Sequence, residues 1–129
     1  MLWSCFWIAI GSGIGGVLRF ACSVLIAERF GETFPWGTLA VNVSGSLVIG
    51  FFFTLSGPEG RLPVDMLVRQ FVMVGICGGF TTFSAFSLQT LILARDGDWL
   101  RAGTNIAASI ALCLMAAWLG HAAAALLNR

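Results

Sequence analysis

Charge is what this sequence has least of. Lysine is absent altogether, and six acidic residues nearly balance seven arginines, for a formal net charge of +1. So even a balance, with no run of one sign, offers no electrostatic footprint for nucleic acid or for an anionic membrane surface. No aspartate or glutamate falls in the middle of a long apolar run. That argues against a small proton-coupled exporter, which exchanges protons on a carboxylate held within the membrane. The single histidine, His121, sits among alanines near the end of the chain, and the sequence holds neither a nucleophile paired with a base nor a metal-ligand cluster. An enzyme would have no chemistry to stand on. The four cysteines, Cys5, Cys22, Cys77 and Cys113, each fall in a hydrophobic stretch and form no Cys-x-x-Cys pair. They read as small buried apolar residues.

What is present is hydrophobicity: 58% of the 129 residues are hydrophobic and 10% are charged, with a mean hydropathy of +0.92. Soluble domains do not have this composition. A spanning helix needs about 20 mostly apolar residues, so the chain reads as a single all-α membrane domain, residues 1–129, of four spans. The first runs from about Trp3 to Ala27 and closes on Glu28-Arg29. It lacks a basic n-region and outlasts a signal peptide's apolar core, so it is expected to be retained. The second runs from Trp36, an interfacial anchor, to Leu55, before the turn Gly57-Pro58-Glu59-Gly60-Arg61. The third runs from Asp65 to Leu93 and the fourth from Trp99 to Leu127, with Arg95-Asp96-Gly97-Asp98 between them.

Small residues recur four apart: Gly11 with Gly15, Ser12 with Gly16, Gly75 with Gly79. Such pairs let helix backbones approach closely in lipid. Gly11, Gly13 and Gly16 also satisfy G-x-G-x-x-G, but a dinucleotide site needs a preceding strand and a solvated helix N-terminus, and these glycines lie inside an apolar helix. The run Gly75-Ile76-Cys77-Gly78-Gly79-Phe80-Thr81-Thr82 carries too much glycine to stay regularly helical, so the third helix is expected to break in mid-membrane. A break there frees backbone groups that must be buried, coordinate an ion or line a cavity, and freed carbonyls suit a cation such as Na⁺.

Polar groups within spans are the site candidates, and most have two readings. Arg19 is either a snorkelling side chain or a cation at the mouth of an anion pathway. Thr38 and Asn42 share a helical face; the amide offers donors to a dehydrated anion or joins two helices. Asn105, Ser109 and Cys113 make a stripe that lines a pore or bonds between helices. Phe83 and Phe86 either pack or present positive ring edges to a small anion.

Three blocks together resemble the Fluc/CrcB fluoride channel family: Gly15-Gly16-Val17-Leu18-Arg19, then Gly37-Thr38-Leu39-Ala40-Val41-Asn42-Val43-Ser44-Gly45, then Gly75 through Phe86 with its Thr81-Thr82-Phe83-Ser84-Ala85-Phe86. The resemblance implies passive export of fluoride from the cytoplasm across the plasma (inner) membrane of a prokaryote. It implies an antiparallel, dual-topology homodimer in which Asn42, Phe83 and Phe86 line the anion path, with Thr38, Ser109 and Arg19 along it. It also implies a structural Na⁺ at the dimer interface, held by the backbone carbonyls of Gly78 and Thr81. The chain departs from the family pattern at Ala85, where a threonine hydroxyl is usual, and its Cys113 falls where a hydroxyl would continue the stripe. A transporter of another substrate on the same scaffold and a non-conducting helper subunit are the rival readings.

Arginine placement bears on the dimer directly. One side of the membrane would carry Arg61 and Arg129 with Arg69 close by, the other Arg29, Arg95 and Arg101, so the positive-inside rule has nothing to act on. Dual insertion and orientation by a partner both remain open. In a background without other reactive thiols, a cysteine placed near Gly60 and labelled from one side with an impermeant reagent is expected to react in about half the molecules; labelling of all or none excludes mixed insertion.

Overall fold

The computed structural model describes residues 1–129 and is entirely helical. Its elements are α1 (Leu2–Phe30), α2 (Trp36–Leu55), α3 (Met66–Arg69), a π segment (Gln70–Cys77), α4 (Gly78–Phe80), α5 (Phe83–Arg95) and α6 (Trp99–Leu127). α3, the π segment, α4 and α5 run on as one span, giving four helices long and apolar enough to cross a membrane: Leu2–Phe30, Trp36–Leu55, Met66–Arg95 and Trp99–Leu127. The second and fourth have the ends read from the sequence. The first continues past Ala27 to Phe30, and stops where Gly31 takes φ 80° while its N–H still reaches Ala27 O. The third runs on to Arg95, and Asp65, expected to open it, is instead its N-cap, accepting from Val68 N at 2.9 Å. Asp98 caps α6 in the same way, through Arg101 N.

Helices meet backbone to backbone. On α1, a Cβ added at Gly11 would lie 2.7 Å from Phe71 O and 3.0 Å from Gly75 Cα, and one at Gly15 would lie 2.7 Å from Phe80 N. The reciprocal face is Gly75, where a Cβ would lie 3.0 Å from Gly11 Cα, and Gly79, where one would lie 2.8 Å from Ser12 Cα. The four-residue glycine spacings of spans one and three are therefore two halves of one contact. Gly16 is not part of it, since a Cβ there meets nothing within 4 Å. The most extensive packing, α2 on α6, uses Gly50 against Ala117 and Gly120 against Leu47 and Phe51.

Only 19 of 129 residues are buried. Apolar side chains cover the outside instead, from Phe20 and Val17 on α1 to Leu114 and Trp118 on α6, an arrangement suited to lipid and not to water. The turn after α2 is tied to the end of α6: Arg61 N donates to Asn128 Oδ1 at 2.9 Å and the Arg61 guanidinium to Leu127 O at 3.2 Å.

Gly15→Ala is expected to destabilise the protein by about 1–3 kcal/mol, because the added methyl meets backbone that cannot rotate away. Gly13→Ala, which adds its methyl in open space, is expected to be neutral or slightly stabilising. Thermal unfolding of both variants in detergent checks the contrast.

Candidate functional site

The site grows from two residues. Thr81 (φ −85°, ψ 155°) and Thr82 (φ −151°, ψ 112°) are extended, between α4 and α5. The glycines before them stay helical: Gly75 lies in the π segment and Gly78 and Gly79 in α4. What holds the extended pair is Asn42, 40 residues away on α2. Its Oδ1 accepts from Thr82 N at 2.7 Å and its Nδ2 donates to Thr82 O at 3.0 Å. Thr82 also caps α5, its Oγ1 accepting from Ala85 N at 3.1 Å. Of the two readings of Asn42, the helix-joining one is visible, and one Nδ2 hydrogen remains for another acceptor.

These bonds divert two donors. In an unbroken helix the Thr82 N–H would close on Gly78 O and the Ala85 N–H on Thr81 O. Both are taken by side-chain oxygens, so the carbonyls of Gly78 and Thr81 lose their helical partners. Carbonyls freed in this way are hard oxygen donors. A cation of the Na⁺ type fits that donor chemistry.

Beside the extended pair, a cavity of about 370 Å³ brings together Asn42, Thr81, Phe83, Phe86 and Ser109. The two rings lie 5.1 Å apart at 49°. Phe86 is buried and Phe83 is 77% exposed, so Phe83 is not packed in this chain's own core. Cys77 and Cys113 line the same cavity. The apolar wall with a few polar groups is what a small-ligand site requires.

Thr38, one turn before Asn42, opens instead into a second cavity of about 670 Å³ with Glu28, Glu32 and Gln89. Arg19 is half-buried and lines neither cavity. Gly78 lies next to the first cavity's lining residue Cys77 without lining it.

Two participants went unread in the sequence. Gln89 lines the second cavity with its buried Oε1 unpartnered. Thr90 receives Asn105 Nδ2 at 2.9 Å and donates to Phe86 O at 2.8 Å. A signal for Thr90 existed, since it lies four residues after Phe86 and hence on the same helical face. Asn105, 2% exposed, also accepts from Ser109 Oγ at 3.4 Å within α6, and its bond to Thr90 is the one by which the span-four stripe joins another helix.

The family described as CrcB-like protein, Camphor Resistance (CrcB) matches residues 6–121. The chain belongs to the CrcB family. Among CrcB relatives, a protein of Opitutus terrae named fluoride-specific ion channel FluC is 63% identical over 122 residues, 95% of this chain and 92% of that one. Similarly named proteins of Paramagnetospirillum magneticum and Methylocella silvestris are 61% and 57% identical, covering 95% of this chain and 95% and 94% of their own lengths. With four apolar helices and relatives named as channels, this CrcB protein is a multi-pass membrane protein, of a class that is not enzymatic.

Asn42→Leu removes both bonds to Thr82 at little change in volume. Each Thr82 backbone group left unpaired costs about 1–3 kcal/mol, and amide exchange at Thr82 is expected to accelerate at least about tenfold. Exchange as slow as in the parent protein would show that Asn42 does not hold the break.

Proposed function

We propose that this CrcB protein is a fluoride-specific ion channel of a prokaryotic inner membrane, through which fluoride leaves the cytoplasm passively. The observation that carries the reading is the 63% identity, over 95% of the chain, to a protein of that name. Fluoride enters cells as neutral HF and is trapped as the ion at the higher internal pH; a negative-inside membrane then drives the anion out.

The cavity has chemistry for such an ion. The free Nδ2 hydrogen of Asn42 and the Ser109 hydroxyl are donors, and the edges of Phe83 and Phe86 are the positive parts of their quadrupoles. Thr38 continues the route into the second cavity, and Arg19, without an ion-pair partner in the chain, supplies a positive charge at the vestibule.

The working unit is an antiparallel homodimer of oppositely inserted copies. Its support is the even arginine distribution, which gives neither orientation an advantage. The extended threonines lie near the middle of Met66–Arg95, hence near mid-membrane, where freed carbonyls require a partner. Gly78 and Thr81 from each subunit would hold a structural Na⁺ at the interface. When bound, that ion supplies positive charge near the anion route.

Liposomes containing only this protein are expected to release fluoride, read by electrode, while chloride is retained. Equal chloride flux, or none of either ion, overturns the reading. In the same assay, Phe83→Ile and Phe86→Ile keep apolar bulk but remove the quadrupole, and flux is expected to fall in variants shown by gel filtration to be dimeric.

A further inference from the structure

The hydrogen bonds behind Ser109 have a fixed direction. Thr90 has one hydroxyl hydrogen, and it goes to Phe86 O at 2.8 Å. Its oxygen therefore receives, and Asn105 Nδ2 donates to it at 2.9 Å. That sets the orientation of the Asn105 amide, whose Oδ1 is left facing Ser109. Asn105 is 2% exposed, so its amide has no water with which to satisfy any other orientation.

Ser109 consequently has an acceptor at its back and the cavity in front. Its single hydrogen rests on Asn105 Oδ1 at 3.4 Å, far longer than the usual O–H···O separation of about 2.7–2.8 Å. An anion in the cavity forms a charge-assisted bond with the same hydrogen, and such bonds are about twice as strong as neutral ones. The ion must still draw the hydrogen from Asn105, and returns it on leaving.

We propose that Asn105 and Thr90 are positioning residues that weaken the Ser109 contact with the permeating anion, so that it binds loosely enough to move on. The proposal rests on the fluoride-channel reading. Conduction needs a site favourable enough to enter and weak enough to leave, and neither Asn105 nor Thr90 lines the cavity itself. They act through Ser109.

Removing the Thr90 acceptor reverses the arrangement. In Thr90→Val the Asn105 Nδ2 hydrogen would be buried without a partner, and a buried N–H is the less tolerable orphan than a buried carbonyl. The amide turns over, Nδ2 donates to Ser109 Oγ, and the Ser109 hydrogen points permanently into the cavity.

The test is fluoride flux into liposomes as a function of fluoride concentration. Thr90→Val is expected to lower the half-saturating concentration about fivefold, the scale of one hydrogen bond, and to lower maximal flux as well, because release slows. Thr90→Ser restores the acceptor and is expected to return both values to those of the parent protein. In a Ser109→Ala background, Thr90→Val is expected to leave half-saturation unchanged. A merely structural role for Thr90 would reduce the flux without tightening half-saturation. A parent protein that conducts, with half-saturation in Thr90→Val unchanged or raised, overturns the proposal, as does the same shift without Ser109. A parent protein that carries no fluoride overturns the channel reading and this proposal with it. Should Thr90→Val not assemble, Thr90→Ala removes the same acceptor and carries the same expectations.

Discussion

A hydrocarbon interior has no water to offer an unpaired N–H or C=O, and that constraint governs the third span. Two consecutive extended residues are tolerable there only where other groups replace the helical ladder. Asn42 replaces it at Thr82, on both the N–H and the carbonyl, and Thr82 replaces it again for Ala85. Once those bonds exist, several features follow. α5 starts afresh at Phe83, which brings Phe83 and Phe86 to the cavity that Asn42 also lines. The carbonyls of Gly78 and Thr81 lose the donors they would have had. A single amide thus holds one wall of the cavity and leaves two backbone carbonyls without their helical donors.

The second requirement is proximity. Asn42 reaches Thr82 because spans can lie almost in backbone contact, and in lipid that closeness comes from small residues and not from a hydrophobic drive between helices. α1 meets the π segment and α4 through Gly11, Gly15, Gly75 and Gly79, and α2 meets α6 through Gly50 and Gly120. At Gly45 on α2 an added Cβ would strike the Thr81 side chain. The absence of a side chain there lets the break lie against the helix that carries Asn42.

Much of this was legible in the sequence because it is local. Four apolar runs gave four helices, and Asn42 and Ser109 inside them are among the few polar groups of the cavity. The helix ends moved by a few residues because Phe30 and Arg95 continue a ladder that composition alone assigns to the interface. Which residues of the third span would leave the helix was harder to read. Glycine is a poor helix former, so Gly75, Gly78 and Gly79 looked like the point of rupture, yet they are helical and serve close approach to α1. The threonines are extended because of a partner on another span, a cause no local propensity contains. Asn105, Thr90 and Ser109 have the same character: the stripe on α6 was visible, its partner on α5 was not. Thr38 and Asn42 do share a face, but one turn along α2 is enough to open them into different cavities.

The π segment leaves one more consequence, concerning length. Each residue added to or removed from a helix turns everything beyond it by about 100° about the axis, and Gln70–Cys77 absorbs its residues at a wider winding than the α-helix on either side. Gly79 meets Ser12, and Thr81 meets Gly45, only in the phase which that winding sets. A one-residue deletion within it could leave hydrophobicity, charge and every named side chain intact and still aim the threonines at the wrong neighbour. A substitution in this stretch leaves that phase as it is, whereas an insertion or deletion shifts it.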